Sequence, residues 1–160
     1  KLRRERIEKP VIYVGAGTCG LGAGAAKTLE AIRAYLTKHE IDAEIIEVGC
    51  VGLCSAEPLV DIQLPGRARV SFQEVTADVV DKLLACVFAH VIPPKLLLGQ
   101  YLNPAHESWQ DVPDINVHPF FKPQTRWVLA HCGLLNPSSI DEYIARGGYL
   151  ALSKLSLIHI

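Results

Sequence analysis

Apolar and polar positions along the first ~90 residues alternate between two periods, and the switches mark the elements. Val11-Ile12-Tyr13-Val14 is a continuous apolar run between Pro10 and Gly15, the pattern of a buried strand. After a glycine-rich turn, Ala25, Leu29, Ile32 and Leu36 recur at helical spacing, which predicts a helix over about 21–39 with one buried stripe. Residues 41–48 (IDAEIIEV), 58–64 (PLVDIQL) and 68–72 read as three further strands. Pro65-Gly66 lies between the last two, so they are expected to form a hairpin. Thr76 is placed to cap a helix over about 77–90, whose apolar face is Val79, Val80, Leu83, Leu84 and Val87. The order β-α-β-β-β-α is that of a thioredoxin-like α/β sandwich.

The pattern then breaks. From Ile92 to Pro123 prolines accumulate and apolar periodicity fades, which reads as a linker wrapped in part on a partner surface. Arg126 to Ala130 is a candidate short strand. Ser138 or Ser139 can cap a following helix whose first turn carries Asp141 and Glu142, and Gly147-Gly148 ends it. A further helix is expected to begin at Tyr149. Leu155-Ser156-Leu157-Ile158-His159-Ile160 matches the peptide that the transposase adapter of shotgun libraries encodes in this frame. Residues 155–160 are therefore expected to be adapter-derived, and codons other than CTG TCT CTT ATA CAC ATC would refute that. The chain neither begins with Met nor contains one, so a fragment is expected.

Composition narrows the chemistry. Hydrophobic residues are 49% and charged residues 21%, which calls for a packed core. A net charge of -1 offers no electrostatic reason to expect nucleic acid or an anionic membrane as partner. The basic cluster at Lys1 to Arg6 reads as a solvated tail. No apolar run approaches the ~18 residues of a membrane span, and no secretory signal is visible. Five cysteines without such a signal favour a reducing compartment, hence metal or redox use over a disulfide framework.

Two motifs compete for the site. Gly15-x-Gly17-x-x-Gly20 follows a strand and opens a helix, as in a dinucleotide-binding turn. Against it, the acidic candidate Glu47 lies farther along than the ~20 residues the fingerprint asks for, and a hairpin follows instead of a second crossover. The stronger motif is Cys50-Val51-Gly52-Leu53-Cys54, a tight turn that aims two thiolates at one spot. Cys19, at a helix N-terminus where a thiolate is favoured, supplies a third. Thiolates converging from fixed loops are what an iron–sulfur cluster requires, normally four for a [2Fe-2S] unit. Cys86 and Cys132 read as core or interface thiols. His39, His90, His106, His118 and His131 read as surface or capping residues, Asp111 and Asp114 as a loop pair, and Trp109 and Trp127 as packing residues.

Cys50-Val-Gly-Leu-Cys54-x-x-x-Pro58 ahead of a hairpin resembles the thioredoxin-like [2Fe-2S] ferredoxin domain. Phe120-Phe-Lys-Pro-Gln-Thr-Arg126-x-Val-Leu-x-x-Cys132-Gly133-Leu, with Ile140-Asp-Glu-Tyr143 and Gly147-Gly148-Tyr149, resembles the opening of the flavin-carrying, NADH-oxidising subunit of complex I. The same subunit type occurs in NAD-linked hydrogenases and formate dehydrogenases, and the fused order looks most like a [FeFe]-hydrogenase beta subunit. The resemblance implies a tail over 1–9, a ferredoxin domain over 10–91, a linker over 92–123 and the start of an NADH/flavin core over 124–154. It implies an electron-transfer module of a cytoplasmic multi-subunit redox complex. FMN, NAD and [4Fe-4S] sites belong to a part of such a subunit that is not in this chain, so the chain itself lacks the flavin and NADH loops.

Cys50 and Cys54 carry over to the family's second ligand pair. The family's first pair, Cys-x-x-x-x-Cys, falls on Gly15 and Gly20, which makes Cys19 a displaced ligand one residue early and leaves the fourth ligand unidentified. The alternatives are a docking domain that has lost its cluster, and a nucleotide-binding domain built on the glycine turn.

Overall fold

The computed structural model describes residues 7–158, so the basic cluster and the last two residues lie outside it. Five strands make one mixed sheet in the order β2-β1-β3-β4-β5: β1 Val11–Gly15, β2 Glu44–Val48, β3 Val60–Gln63, β4 Arg69–Phe72 and β5 Leu97–Tyr101. β1 and β2 are parallel, and the remaining pairs are antiparallel. Strand alternation sorts the two faces. Ile12, Val14, Val60, Ile62, Val70 and Phe72 join the main core under helices α2 (Ala25–Lys38) and α3 (Ala77–Phe88). α2 contributes Ala25, Leu29, Ile32 and Leu36, and α3 contributes Val80, Leu83, Leu84 and Val87, at helical spacing on each. Each Val, Leu or Ile side chain among these, fully buried, contributes about 1.5–3 kcal/mol relative to exposure. Thr28, fully buried within the α2 stripe, satisfies its hydroxyl by donating to the Val75 carbonyl at 2.7 Å. The α/β class and the order of the first four strands and two long helices are those expected of a thioredoxin-like domain.

The opposite face is polar yet covered. Tyr13, Asp61, Arg69 and Ser71 are buried there beneath the chain after β5. Arg69 stacks over the Tyr13 ring at 3.5 Å, pairs with Asp61, and donates to the carbonyls of Gly133 and Leu134. One guanidinium thus neutralises a buried carboxylate and ties residues 133–134 to the sheet.

Several elements differ from expectation. The first helix is split into α1 (Thr18–Gly22) and α2, because Gly24 at φ 103 ends one helical path and starts another. β5 lies inside the stretch expected as linker and pairs with β4, so part of 92–123 belongs to the sheet. Gln100 of β5 then fastens the next loop, donating to the carbonyls of Trp109 and Val112 and accepting from the Trp109 amide. Residues 126–130 form turns rather than a strand. Trp109 packs as expected, but Trp127 is 85% exposed. His106 is half-buried against Gln63 rather than on the surface. Thr76 occupies the cap position of α3 without bonding the helix backbone. Helix α4 (Ile140–Ala145) is capped by Ser139, whose hydroxyl accepts from the Glu142 amide at 3.2 Å. Helix α5 (Leu150–Ile158) covers the first residues of the segment expected to be adapter-derived, whose last two residues lie outside the described ones. Among the described residues no helix is long and apolar enough to cross a membrane.

Candidate metal centre

Two loops, one leaving β1 and one joining β2 to β3, meet at the same end of the sheet. β1 and β2 run parallel with Gly15 opposite Val48, so the loops that follow them emerge side by side. β3 is antiparallel to β1 with Val60 opposite Val14, so the segment that enters β3 arrives at that end too. Backbone bonds lock the junction, with the Gly15 amide donating to the Leu59 carbonyl and the Ala16 amide to the Val48 carbonyl, both at 2.9 Å. Cys19 sits in α1 after the loop that leaves β1, whereas Cys50 and Cys54 both lie on the loop joining β2 to β3, where Cys54 opens a short 3-10 turn.

The glycines of the first loop are explained by packing. A Cβ on Gly20 would stand 2.0 Å from the Gly15 carbonyl oxygen, and one on Gly17 would stand 3.2 Å from the Cys50 nitrogen. A Cβ on Gly15 would meet the Glu57 carboxylate at 2.9 Å. The turn is glycine-rich so that it can close on itself and on the cysteine loop. It faces a carboxylate, which is the wrong charge for a pyrophosphate, and the β1-α-β2 crossover it opens is followed by antiparallel strands instead of a second crossover. The dinucleotide reading has no support in this geometry.

The sulfurs of Cys19, Cys50 and Cys54 all lie within 4.8 Å of one another. Among the described residues this is the group of cysteine, histidine and acidic side chains able to hold a metal ion. Cys50 and Cys54 are 3.7 Å apart, which matches the ~3.8 Å edge of a tetrahedral centre built on metal–sulfur bonds of ~2.3 Å. The Gly52 amide, in a turn where that glycine has φ 94, points at the Cys50 sulfur from 3.2 Å. Cys50 is half-buried, while Cys19 and Cys54 are open to solvent. Cys86 and Cys132, the remaining thiols, are not part of the group.

The electrostatics of three neighbouring thiols favour a cation. Cys54 is pushed up to about 12 from an ordinary 9.0, chiefly by its hydrogen bond with Cys19 and then by that with Cys50. The three sulfurs share protons, and removing the last proton places like charges together unless a metal neutralises them. Donor type, spacing and charge therefore fit a thiophilic metal centre, with three of the four protein ligands that a [2Fe-2S] unit takes.

Sequence reasoning passed over two further residues at this site. Glu57 is 7% exposed; its Oε2 accepts from the Leu59 amide at 2.8 Å, while Oε1 is buried with no hydrogen-bond partner among nitrogen and oxygen donors. Burial, above all, raises its pKa. Gly133 is the other. Its φ is 78, and a Cβ there would stand 2.2 Å from the Val51 Cγ1. The chain at 133 therefore lies directly against the cysteine loop. Arg126 reinforces the contact by donating to the Val51 carbonyl at 3.1 Å, and Phe120 and Phe121 pack on Val51, Leu53 and Leu59.

No protein-family model matches the chain. Over 68 residues it is 35% identical to the NADP-reducing hydrogenase subunit HndB of Solidesulfovibrio fructosivorans. That match takes in 42% of this chain and 54% of the relative, so the chain spans about half the length of the curated relative it matches. A thioredoxin-like [2Fe-2S] ferredoxin from Aquifex aeolicus aligns in structure at TM-score 0.49 and 16% identity, covering 61% of this chain and 97% of that one. The wild-type form of that ferredoxin aligns at 0.49 and 15%, covering 57% and 98%. The chain carries an α/β domain built on a five-stranded mixed sheet, similar over 68 residues in sequence to a hydrogenase subunit, with Cys19, Cys50 and Cys54 gathered at one end of that sheet.

Proposed function

We propose that the chain is an electron-transfer module and that Cys19, Cys50 and Cys54 hold a [2Fe-2S] cluster. The observation that carries this reading is the convergence of three sulfurs from two loops within 4.8 Å of one another. When bound, such a cluster supplies one-electron transfer. The chain's own residues set its surroundings. The Gly52 amide directed at the Cys50 sulfur stabilises thiolate charge, and Val51 and Leu53 exclude water from the buried side. The exposed sulfurs of Cys19 and Cys54 keep the other side open to a redox partner.

The name and likeness of HndB support placing this domain, taken as residues 10–91, in the cytoplasmic subunit of a multi-subunit NAD(P)-linked redox complex. Residues 92–123 then form a connector that lends β5 to the sheet, and 124–154 begin a core whose FMN, NAD and [4Fe-4S] sites lie in sequence beyond this chain. The packing of 120–134 on the cysteine loop favours this arrangement, because it brings the start of that core to the cluster's edge. The test is anaerobic reconstitution of the full chain with iron and sulfide, followed by reduction and EPR. A rhombic signal from one unpaired electron, lost in Cys50→Ser and in Cys54→Ser, is the expected result. A chain that folds but gives no signal is a cluster-free docking domain.

A further inference from the structure

Two neighbouring observations bear on the missing fourth ligand. The first is Glu57, more than nine-tenths buried, with Oε1 lacking a nitrogen or oxygen donor. The glycine loop it underlies also packs on Cys50, where a Cβ on Gly17 would stand 3.3 Å from the Cys50 Cβ, and Cys50 is near enough to favour the charged form of Glu57. The second is the glycine loop that carries Cys19. Atoms added as Cβ on Gly15 and Gly20 would stand 2.9 and 3.2 Å from Glu57 Oε2, so the carboxylate occupies space that two absent side chains leave beneath this loop. A buried carboxylate without partners is costly, and native proteins retain one when an ion pairs with it. Here no Lys or Arg is paired with Glu57 among the described residues, whereas three thiols adjoin it.

We propose that Glu57 is the fourth protein ligand, giving the cluster three thiolates and one carboxylate. The inference rests on the cluster reading above. Cys50 and Cys54, at tetrahedral-edge spacing, take one iron, and Cys19 with Glu57 take the other. Glu57 itself stands outside the tight three-sulfur group, at the edge of the loop that carries Cys19. Ferric iron accepts carboxylate oxygen as well as thiolate, and the two irons then differ in donor set. Oε2 remains bonded to the Leu59 amide, an outer bond that fixes the carboxylate's orientation while Oε1 faces the metal.

The experiment is ⁵⁷Fe Mössbauer spectroscopy and chelator challenge on the reconstituted full chain, wild type against Glu57→Gln. Wild type is expected to give two ferric doublets of equal area, one with the larger isomer shift of an oxygen-ligated site. Glu57→Gln keeps an acceptor for the Leu59 amide, so its metal-free form should melt no lower than wild type. Its cluster should lose the shifted doublet and release iron to a chelator about 10–100-fold faster, the scale on which even outer-shell partners matter. Two indistinguishable all-sulfur doublets in wild type would overturn the assignment, as would a Glu57→Gln protein with unchanged doublets and iron release. Those results leave the cluster reading intact, whereas a wild-type chain that binds no iron and sulfide removes both.

Discussion

Replacing Arg69 by Met should be among the most damaging single changes in the molecule. The side chains of Arg69 and Asp61 are 9% and 8% exposed, so the pair is out of water on both sides. Met keeps the apolar stem against Tyr13 but leaves the Asp61 carboxylate without its cation. Breaking a buried pair from one side costs about 3–5 kcal/mol, most of it the penalty of the stranded charge. The lost bonds to the Gly133 and Leu134 carbonyls belong to the same guanidinium, so they are counted within that figure. At about 2–4 °C per kcal/mol for a chain of this size, the melting temperature should fall by roughly 6–20 °C. Urea and thermal unfolding of metal-free protein measure this. The double variant Asp61→Leu/Arg69→Met removes the stranded charge and should recover most of the loss, because apolar replacement of a whole buried pair is often neutral. Limited proteolysis between residues 103 and 126 should accelerate in the single variant as the 133–134 segment comes off the sheet. A loss below about 1 kcal/mol, the level of a surface pair, would refute the claim that this ion pair is buried and fastens that segment.

Gly133→Ala should destabilise by about 1–3 kcal/mol, since it combines a left-handed backbone with a Cβ at 2.2 Å from Val51, whereas Gly22→Ala, with nothing within 4 Å, should be neutral or mildly stabilising. In the metal-free chain at pH 8, Cys54 should alkylate more slowly than Cys19 and Cys50 by mass-spectrometric mapping. Its pKa of about 12 leaves it almost wholly thiol below that pH, where an ordinary thiol near 9.0 would be partly ionised. Equal labelling of all three would mean the sulfurs do not share protons as described. Tryptophan emission should separate cleanly: with Trp109→Phe the remaining Trp127 should emit red-shifted and be quenched by acrylamide, and with Trp127→Phe the buried Trp109 should emit blue-shifted and protected.

Local signals made most of the fold legible. Val11–Val14, the α2 and α3 stripes and the Pro65-Gly66 turn are each written within one short window, so periodicity finds them to within a few residues. β5 was missed because Leu97–Tyr101 has no amphipathic signature of its own. It is a strand because β4 offers an open edge, which is a tertiary fact. The reverse holds for 126–130, where β-branched and aromatic residues suggest a strand but no sheet edge receives them, and Trp127 and Val128 stay exposed.

Cys50 and Cys54 were legible as a pair for the same local reason. That Cys19 joins them depends on the parallel β1–β2 register, and that register was implied only by the predicted β-α-β order. Glu57 was not legible. A glutamate after a 3-10 turn is ordinarily at the surface, and this one is buried because Gly15 and Gly20, far away in sequence, have no side chains to occupy its place. The same two glycines imitate a nucleotide turn on paper, and the structure gives them a packing reason.

Iron and acid-labile sulfide content tests most directly whether the three gathered cysteines hold an iron–sulfur unit. After anaerobic reconstitution and desalting, wild type should retain about two iron and two sulfide per chain. Cys19→Ser, Cys50→Ser and Cys54→Ser should each lose most of both, while Cys86→Ser and Cys132→Ser should match wild type. Full retention by any of the first three variants, or a wild-type chain that keeps neither iron nor sulfide, would contradict the cluster reading.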